Sequence, residues 1–169
     1  MRAILKVAGI VKESIVDGPG IRLVVFAQGC PHRCPGCHNP HTHSFEGGTL
    51  MGVDDIVELA AKNPMLKGIT FSGGEPFEQA QGFAELAYKA GELGMDVMAY
   101  TGYTYEEITQ GSEGRPEWGI LLDRTDILVD GRFELDRKNP LLAFKGSENQ
   151  RIIDVKKSRA LGRIVQAEL

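Results

Sequence analysis

Outside one short stretch this chain lacks cysteine altogether: Cys30, Cys34 and Cys37 fall within eight of its 169 residues, and the remaining 161 positions have none. That excludes a framework of structural disulfides, which needs half-cystines that are even in number and spread along the chain. An odd, clustered set speaks for reduced thiolates holding a metal or an inorganic cluster in a reducing compartment. Broad positive charge is lacking too, with a formal net charge of -4 and a sequence pI near 5.6. Nucleic acid is therefore not expected as a direct partner, because no basic field is available to draw a phosphate backbone. No apolar run approaches the length of a membrane span, and Met1 to Ile10 has neither the apolar core nor the small-residue cleavage site of a signal peptide. The expectation is a cytoplasmic protein with no membrane partner. Internal repeats, a phosphate-binding loop, a Ser-His-Asp order and paired carboxylates are all missing, so hydrolysis and phosphoryl transfer lack support.

What is present suffices for one domain over residues 1–169, with 42% hydrophobic and 25% charged residues. Ala3 to Ile10 and Ile21 to Ala27 are rich in Val, Ile and Leu between Gly and Pro, and read as strands. Gly68 to Ser72, Met95 to Tyr100, Ile127 to Asp130 and Arg151 to Val155 complete the strand candidates. Helical spacing runs through Val53 to Lys62 and Phe77 to Leu93, the latter stopped by Gly94. Shorter helices are expected over Thr104 to Thr109 and Trp118 to Leu122, with a closing turn over Ser158 to Gly162. The alternation predicts an α/β fold with a mostly parallel sheet of about six strands and helices on one side. Six strands are too few for a closed eight-stranded barrel, so a partial, open β/α barrel is expected. Gly131 to Asn149 is long for an irregular connection and is a candidate for function.

The run Cys30-Pro31-His32-Arg33-Cys34-Pro35-Gly36-Cys37 has the spacing C-x3-C-x2-C directly after a strand. Soft thiolates so spaced can fold round one inorganic cluster. A cubane has four irons, so three cysteines leave one that an amine and a carboxylate could chelate. On these residues alone a structural zinc site stays open, with His32, His38, His41 or His43 completing a Cys3His set. Zinc sites more often draw their sulfur from two separate knuckles.

Other motifs sit at strand ends. Ser72-Gly73-Gly74-Glu75-Pro76 joins a strand to a helix, where glycines let the backbone approach a ligand and free NH and C=O groups can bind it. An ordinary tight turn is the plainer reading. Asp17-Gly18-Pro19-Gly20 is a reverse turn, followed by Arg22, which could be only a surface charge. Tyr100-Thr101-Gly102-Tyr103 and Asp130-Gly131-Arg132 close two strands, where active-site groups gather in parallel barrels. A surface salt bridge accounts equally well for Asp130 and Arg132.

In combination these motifs resemble the radical S-adenosylmethionine (SAM) superfamily, and within it the glycyl radical enzyme activases. C-x3-C-x2-C resembles the superfamily signature, in which many members carry an aromatic residue where this chain has Gly36. Cys-Pro-Gly-Cys followed by His38-Asn39-Pro40, and Gly146 to Asp154, resemble the branch that activates anaerobic ribonucleotide reductase. The likeness runs from Asp17 to Asp154. It implies a radical SAM type of open barrel, with a [4Fe-4S] cluster on Cys30, Cys34 and Cys37. It also implies S-adenosyl-L-methionine at the open iron, contacted by Gly36, Cys37, His38, Gly73, Gly74, Glu75 and Asp130. Glu75 and nearby backbone would take the methionine ammonium, and the Gly146 to Arg151 segment the adenosine.

By the same resemblance the chain is an oxidoreductase. Its reduced cluster splits SAM into methionine and a 5'-deoxyadenosyl radical, which takes hydrogen from a glycine of the anaerobic ribonucleoside-triphosphate reductase. No side chain need act as acid or base, and a flavodoxin, ferredoxin or similar donor supplies the electron. An activase of the formate-lyase type, or another small radical SAM enzyme, is the nearer alternative. A non-enzymatic zinc or electron-transfer module is the more distant one.

Overall fold

The computed structural model describes residues 3–169; Met1 and Arg2, the start of the single domain read over 1–169, lie outside the described residues. Its strands are β1 (Ile4–Ser14), β2 (Arg22–Ala27), β3 (Thr49–Gly52), β4 (Gly68–Gly73), β5 (Asp96–Tyr100), β6 (Ile127–Asp130) and β7 (Arg151–Asp154). The helices are α1 (Val53–Ala61), α2 (Ala80–Glu92), α3 (Tyr105–Gly111), α4 (Pro116–Asp123) and α5 (Val155–Leu161). All seven strands form one sheet in the order β3-β1-β2-β4-β5-β6-β7.

The sheet is mixed, which corrects the expectation of about six mostly parallel strands. β2, β4, β5 and β6 run parallel as the centre. β1 pairs antiparallel with both β2 and β3, and β7 antiparallel with β6. Each difference has a local cause. Seven residues between β1 and β2 suffice only to reverse the chain, whereas parallel neighbours need a crossover of a dozen residues or more. β3 is a four-residue edge strand, too short to carry a period-2 signal. The second helix begins at Ala80 rather than Phe77, because Pro76–Gln79 is a 3-10 turn in which the Phe77 N–H is capped by the Glu75 carboxylate.

Alternation along the strands decides what each face carries. Leu23, Val25, Ala27, Ile69, Phe71, Val97, Ala99, Leu128 and Ile153 join one core cluster with the buried side of the helices. α2 lies at its centre, packed on β1, β4 and β5 between α1 and α4, and Phe83 meets Phe71 with ring centroids 4.8 Å apart. The opposite face presents Arg22, Val24, Thr70, Met98 and Val129, all buried. The turn between β1 and β2 folds over this face, so closely that a side chain on Gly18 would strike Met98 and Arg22. Because β2, β4, β5 and β6 are parallel, their C-terminal ends meet along one edge of the sheet. The sequence motifs stand on that edge.

Candidate functional site

At the end of β2 the chain turns out into the cysteine loop and is closed again at its neck. Gly29 N–H donates to Thr42 O at 2.7 Å and Cys30 N–H to His43 O at 3.0 Å. The Gln28 side chain reinforces the closure, donating to Ser44 O at 2.7 Å. Inside the loop Cys37 N–H donates to Cys34 O at 3.1 Å. Gly36 takes φ +74°, and a Cβ there would lie 2.8 Å from Leu135 and 3.4 Å from the Phe133 ring. Glycine is thus required at this position by conformation and by space.

All three cysteines are free thiols. Burial pushes the Cys30 thiol up, and the Cys34 thiol too, where a hydrogen bond from the Phe133 backbone partly offsets it. The Asn39 N–H donates to Cys37 Sγ at 3.4 Å. Backbone N–H groups aimed at sulfur favour the thiolate that an iron requires.

β4 is stitched to this loop beyond the end of the strands. Gly74 N–H donates to Ala27 O and Glu75 N–H to Gly29 O, both at 2.8 Å. Gly73 has φ +93°, and a Cβ on Gly74 would stand 2.4 Å from Gly29 O. The two glycines therefore bring β4 against the backbone of β2, in addition to leaving the cavity side bare.

Glu75 is fully buried. Its carboxylate accepts from Thr101 Oγ1 at 2.9 Å, Gly102 N–H at 2.8 Å, Phe77 N–H at 3.1 Å and His32 Nε2 at 2.7 Å. Arg132 Nε donates to His32 Nδ1 at 3.2 Å. That bond assigns the imidazole proton to Nε2, which then donates to Glu75.

Asp130 is 1% exposed. It accepts from Tyr105 N–H at 2.8 Å and forms a two-point pair with Arg151, at 3.0 and 2.5 Å. Arg151 reaches on to Glu106 at 2.6 Å.

The long stretch after β6 is ordered by its own polar bonds. Gln150 Oε1 accepts from Gly146 N–H at 2.8 Å and Ser147 N–H at 3.1 Å, while its Nε2 donates to Gly131 O at 3.0 Å. This holds Phe133 over the cysteine loop, where its ring meets His38 edge-on at 5.3 Å.

One open cavity of about 460 Å³ collects these groups. Cys30, Cys34, Cys37, His38, Gly73 and Gly74 line it, with Tyr100, Thr101 and Gly102 from the end of β5 and Phe133, Phe144 and Lys145 from the long loop. Gly36, Glu75 and Asp130 do not line it: Gly36 is exposed on the loop's outer side, Glu75 lies behind His32 and Thr101, and Asp130 faces Arg151. Arg22, for which the sequence alone allowed a plain surface charge, is wholly buried. Sequence reasoning missed Phe133, Lys145 and the anchoring of His32. For Phe133 and Lys145 the one signal was the unusual length of the 131–149 stretch.

As to what the thiols could hold, His32 has both ring nitrogens engaged and cannot complete a Cys3His zinc set. Among the described residues no three His, Cys, Asp or Glu side chains are gathered closely enough to hold one ion. A cubane spreads its thiolates over separate irons. No helix of the described residues is long and apolar enough to cross a membrane.

Three comparisons bear on this site. The family described as 4Fe-4S single cluster domain matches residues 16–153. The anaerobic ribonucleoside-triphosphate reductase-activating protein of Enterobacteria phage T4 is 32% identical over 143 residues, covering 81% of this chain and 86% of its own. The protein of the same name from Escherichia coli K12 is 34% identical over 144 residues, with 80% and 90% covered. That from Vibrio cholerae is also 34% identical over 144 residues, with 80% and 89% covered. Among solved structures, QueE from Escherichia coli overlaps 60% of this chain and 53% of its own, about half its length, with a TM-score of 0.48 and 15% identity.

Proposed function

The chain belongs to the 4Fe-4S single cluster domain family and to the family of anaerobic ribonucleoside-triphosphate reductase-activating proteins, and from that premise we propose that it is a radical SAM activase. Its reaction is the reductive cleavage of S-adenosyl-L-methionine coupled to formation of a glycyl radical on the anaerobic ribonucleotide reductase. The observation that carries this reading is the meeting of three free thiols with the bare Gly73–Gly74 edge on one cavity.

The donor set fits the cofactor. Cys30, Cys34 and Cys37 would hold a [4Fe-4S] cluster, and N–H groups from Asn39 and Phe133 are at hand to stabilise two of the thiolates. When bound, the cluster would supply one electron to SAM seated at the iron that three cysteines leave free. Cys37, His38, Gly73 and Gly74 would orient SAM, with Gly36 shaping the turn that presents Cys37. Glu75 and Asp130 would act from one layer back, Glu75 by fixing Thr101 and Gly102, and Asp130 by fixing the ends of β6 and β7.

The protein's remaining task is to keep water and oxygen from a reactive carbon centre. Phe133, Leu142 and Phe144 supply apolar walls for that. Ile15, Val16 and Leu141 are exposed apolar residues, Val16 lining the cavity and the other two adjoining its lining residues Val16 and Leu142 in sequence. They suit a partner that inserts a chain segment, here the glycine loop of the reductase. The sheet would curve as an open, partial β/α barrel. A flavodoxin, ferredoxin or similar donor would provide electrons in the cytoplasm, with no nucleic acid or membrane involved.

The test is anaerobic reconstitution followed by addition of SAM and a strong reductant. Methionine and 5'-deoxyadenosine should form, and EPR should report a glycyl radical when the anaerobic reductase is present. Cys34→Ala should abolish both. A reconstituted, reducible protein that leaves SAM intact beside its reductase would refute the reading.

A further inference from the structure

We infer that His32 is a positioning residue that locks the cysteine loop to the strand ends, and that Glu75 serves this lock instead of touching the ligand. The inference rests on the function proposed above.

Between the first two cysteines, Pro31 and Arg33 are exposed, whereas the His32 side chain is 4% exposed. It turns inward onto three other segments. Nε2 donates to Glu75 at the end of β4, at 2.7 Å. Nδ1 accepts from Arg132, past the end of β6, at 3.2 Å. The ring stands edge-on to Tyr103 with centroids 4.5 Å apart, and it packs so closely on Gly102 that a Cβ there would lie 2.3 Å from it. One imidazole thus joins the cysteine loop to β4, β5 and β6.

Glu75 shows the other side of the lock. Its two oxygens already accept from His32, Thr101, Gly102 and Phe77, and it is without solvent exposure. A carboxylate so saturated has little capacity left for an ammonium group. Removing any one donor leaves a buried charge short of a partner, so the four segments hold one another in place.

The separation between the thiols and the Gly73–Gly74 edge follows from this bond. A ligand bridging an iron on the loop and that edge needs both at a fixed spacing, to about half an ångström. The thiols themselves do not depend on His32, so a loop without it can still take up iron.

The experiment compares the parent with His32→Ala, His32→Gln, Glu75→Gln and the double variant His32→Ala/Glu75→Gln, each reconstituted anaerobically. Iron and sulfide per chain are measured first. The change in the reduced cluster's EPR signal is then titrated with SAM. His32→Ala should retain its iron and need about tenfold more SAM for half the change. His32→Gln, whose amide can donate to Glu75 in place of Nε2, should recover most of that loss. Glu75→Gln should resemble His32→Ala, and the double variant should be no worse than either, because both remove one lock.

Trypsin cleavage after Arg33 reads the lock without SAM, and should rise in His32→Ala and fall back in His32→Gln. Parent-like titration and cleavage in His32→Ala would overturn the inference, as would a double variant whose losses add. If the parent itself shows no response to SAM, the proposed function fails, and the cleavage arm still decides whether the lock exists.

Discussion

Arg22 Nη2 lies 2.5 Å from Asp96 Oδ1, and the pair spans the width of β4 at Gly68, the residue in register with both. The contact is an ion pair by distance and not an aligned hydrogen bond. The rest of the guanidinium is well satisfied: Nε donates to Thr70 Oγ1 at 2.7 Å, Nη1 to Pro19 O at 3.0 Å and Nη2 to Ile69 O at 3.1 Å. Thr70 Oγ1 in turn donates to Asp17 O at 2.8 Å. Arg22 therefore pins the Asp17–Gly20 turn to the sheet face beside the cavity.

Arg22→Met should lower the free energy of unfolding by about 1–3 kcal/mol, because it takes a donor from buried Thr70 Oγ1 and Ile69 O, while Asp96, 27% exposed, keeps access to water. Gly68→Ala should do comparable harm for a steric reason, since its Cβ would stand 2.4 Å from Asp96 Oδ1 and 2.6 Å from Arg22 Nη2. Urea denaturation of the two variants checks both. Parent-like midpoints would show that the pair carries no stability.

Gly74→Ala should be costly for a steric reason alone, whereas Gly73→Ala would add the strain of φ +93° to a comparable backbone clash. The obstacles to a Cβ on Gly74 are the backbone oxygens of Gly29 and Ala27, at 2.4 and 2.8 Å, which cannot swing aside as a side chain can. Separating β4 from the cysteine loop should cost about 1–3 kcal/mol and should weaken SAM binding to the reconstituted protein. By contrast Gly91→Ala, where the added methyl meets nothing within 4 Å, should be neutral or stabilising. Thermal unfolding and the SAM-dependent EPR change compare the pair of variants.

Hydrogen bonding from Arg151 pulls the Glu106 carboxyl below its ordinary value of 4.5. A lowered folded-state value means that the contribution to stability is complete above pH 4.5 and is lost as pH falls through the lowered value. Glu106 is half-exposed, so the effect should stay under about 1 kcal/mol. Glu106→Gln should thus be slightly less stable than the parent at pH 7 and equal to it near pH 2. A stability gap that persists in strong acid would contradict the assignment.

Local chemistry made much of this protein readable from its sequence. Cysteine spacing marks the loop, and the hydrophobic runs at Ile21 to Ala27 and Ile127 to Asp130 mark strands whose ends carry the site. What stayed hidden depends on distant partners. Arg22 looks like any charged residue after a turn until Thr70, Asp96 and a glycine at position 68 are brought round it. Likewise β3 exists because β1 offers it an edge, and its four residues carry little preference of their own. Glu75 is the most instructive case: the motif marks it as important, but only the fold shows its carboxylate facing His32 and Thr101 instead of the cavity. The antiparallel flanks follow from connection lengths, which a count of strand-like segments does not weigh.

The neck of the cysteine loop has a bearing on how a cofactor would be acquired. Gly29 pairs with Thr42 and Cys30 with His43 through backbone hydrogen bonds that use no sulfur, so these bonds offset part of the chain entropy of closing that loop independently of the thiols. Small zinc modules, whose folding free energy is largely metal-binding free energy, behave in the opposite way. Here backbone bonds at the neck share with the thiols the task of closing the loop.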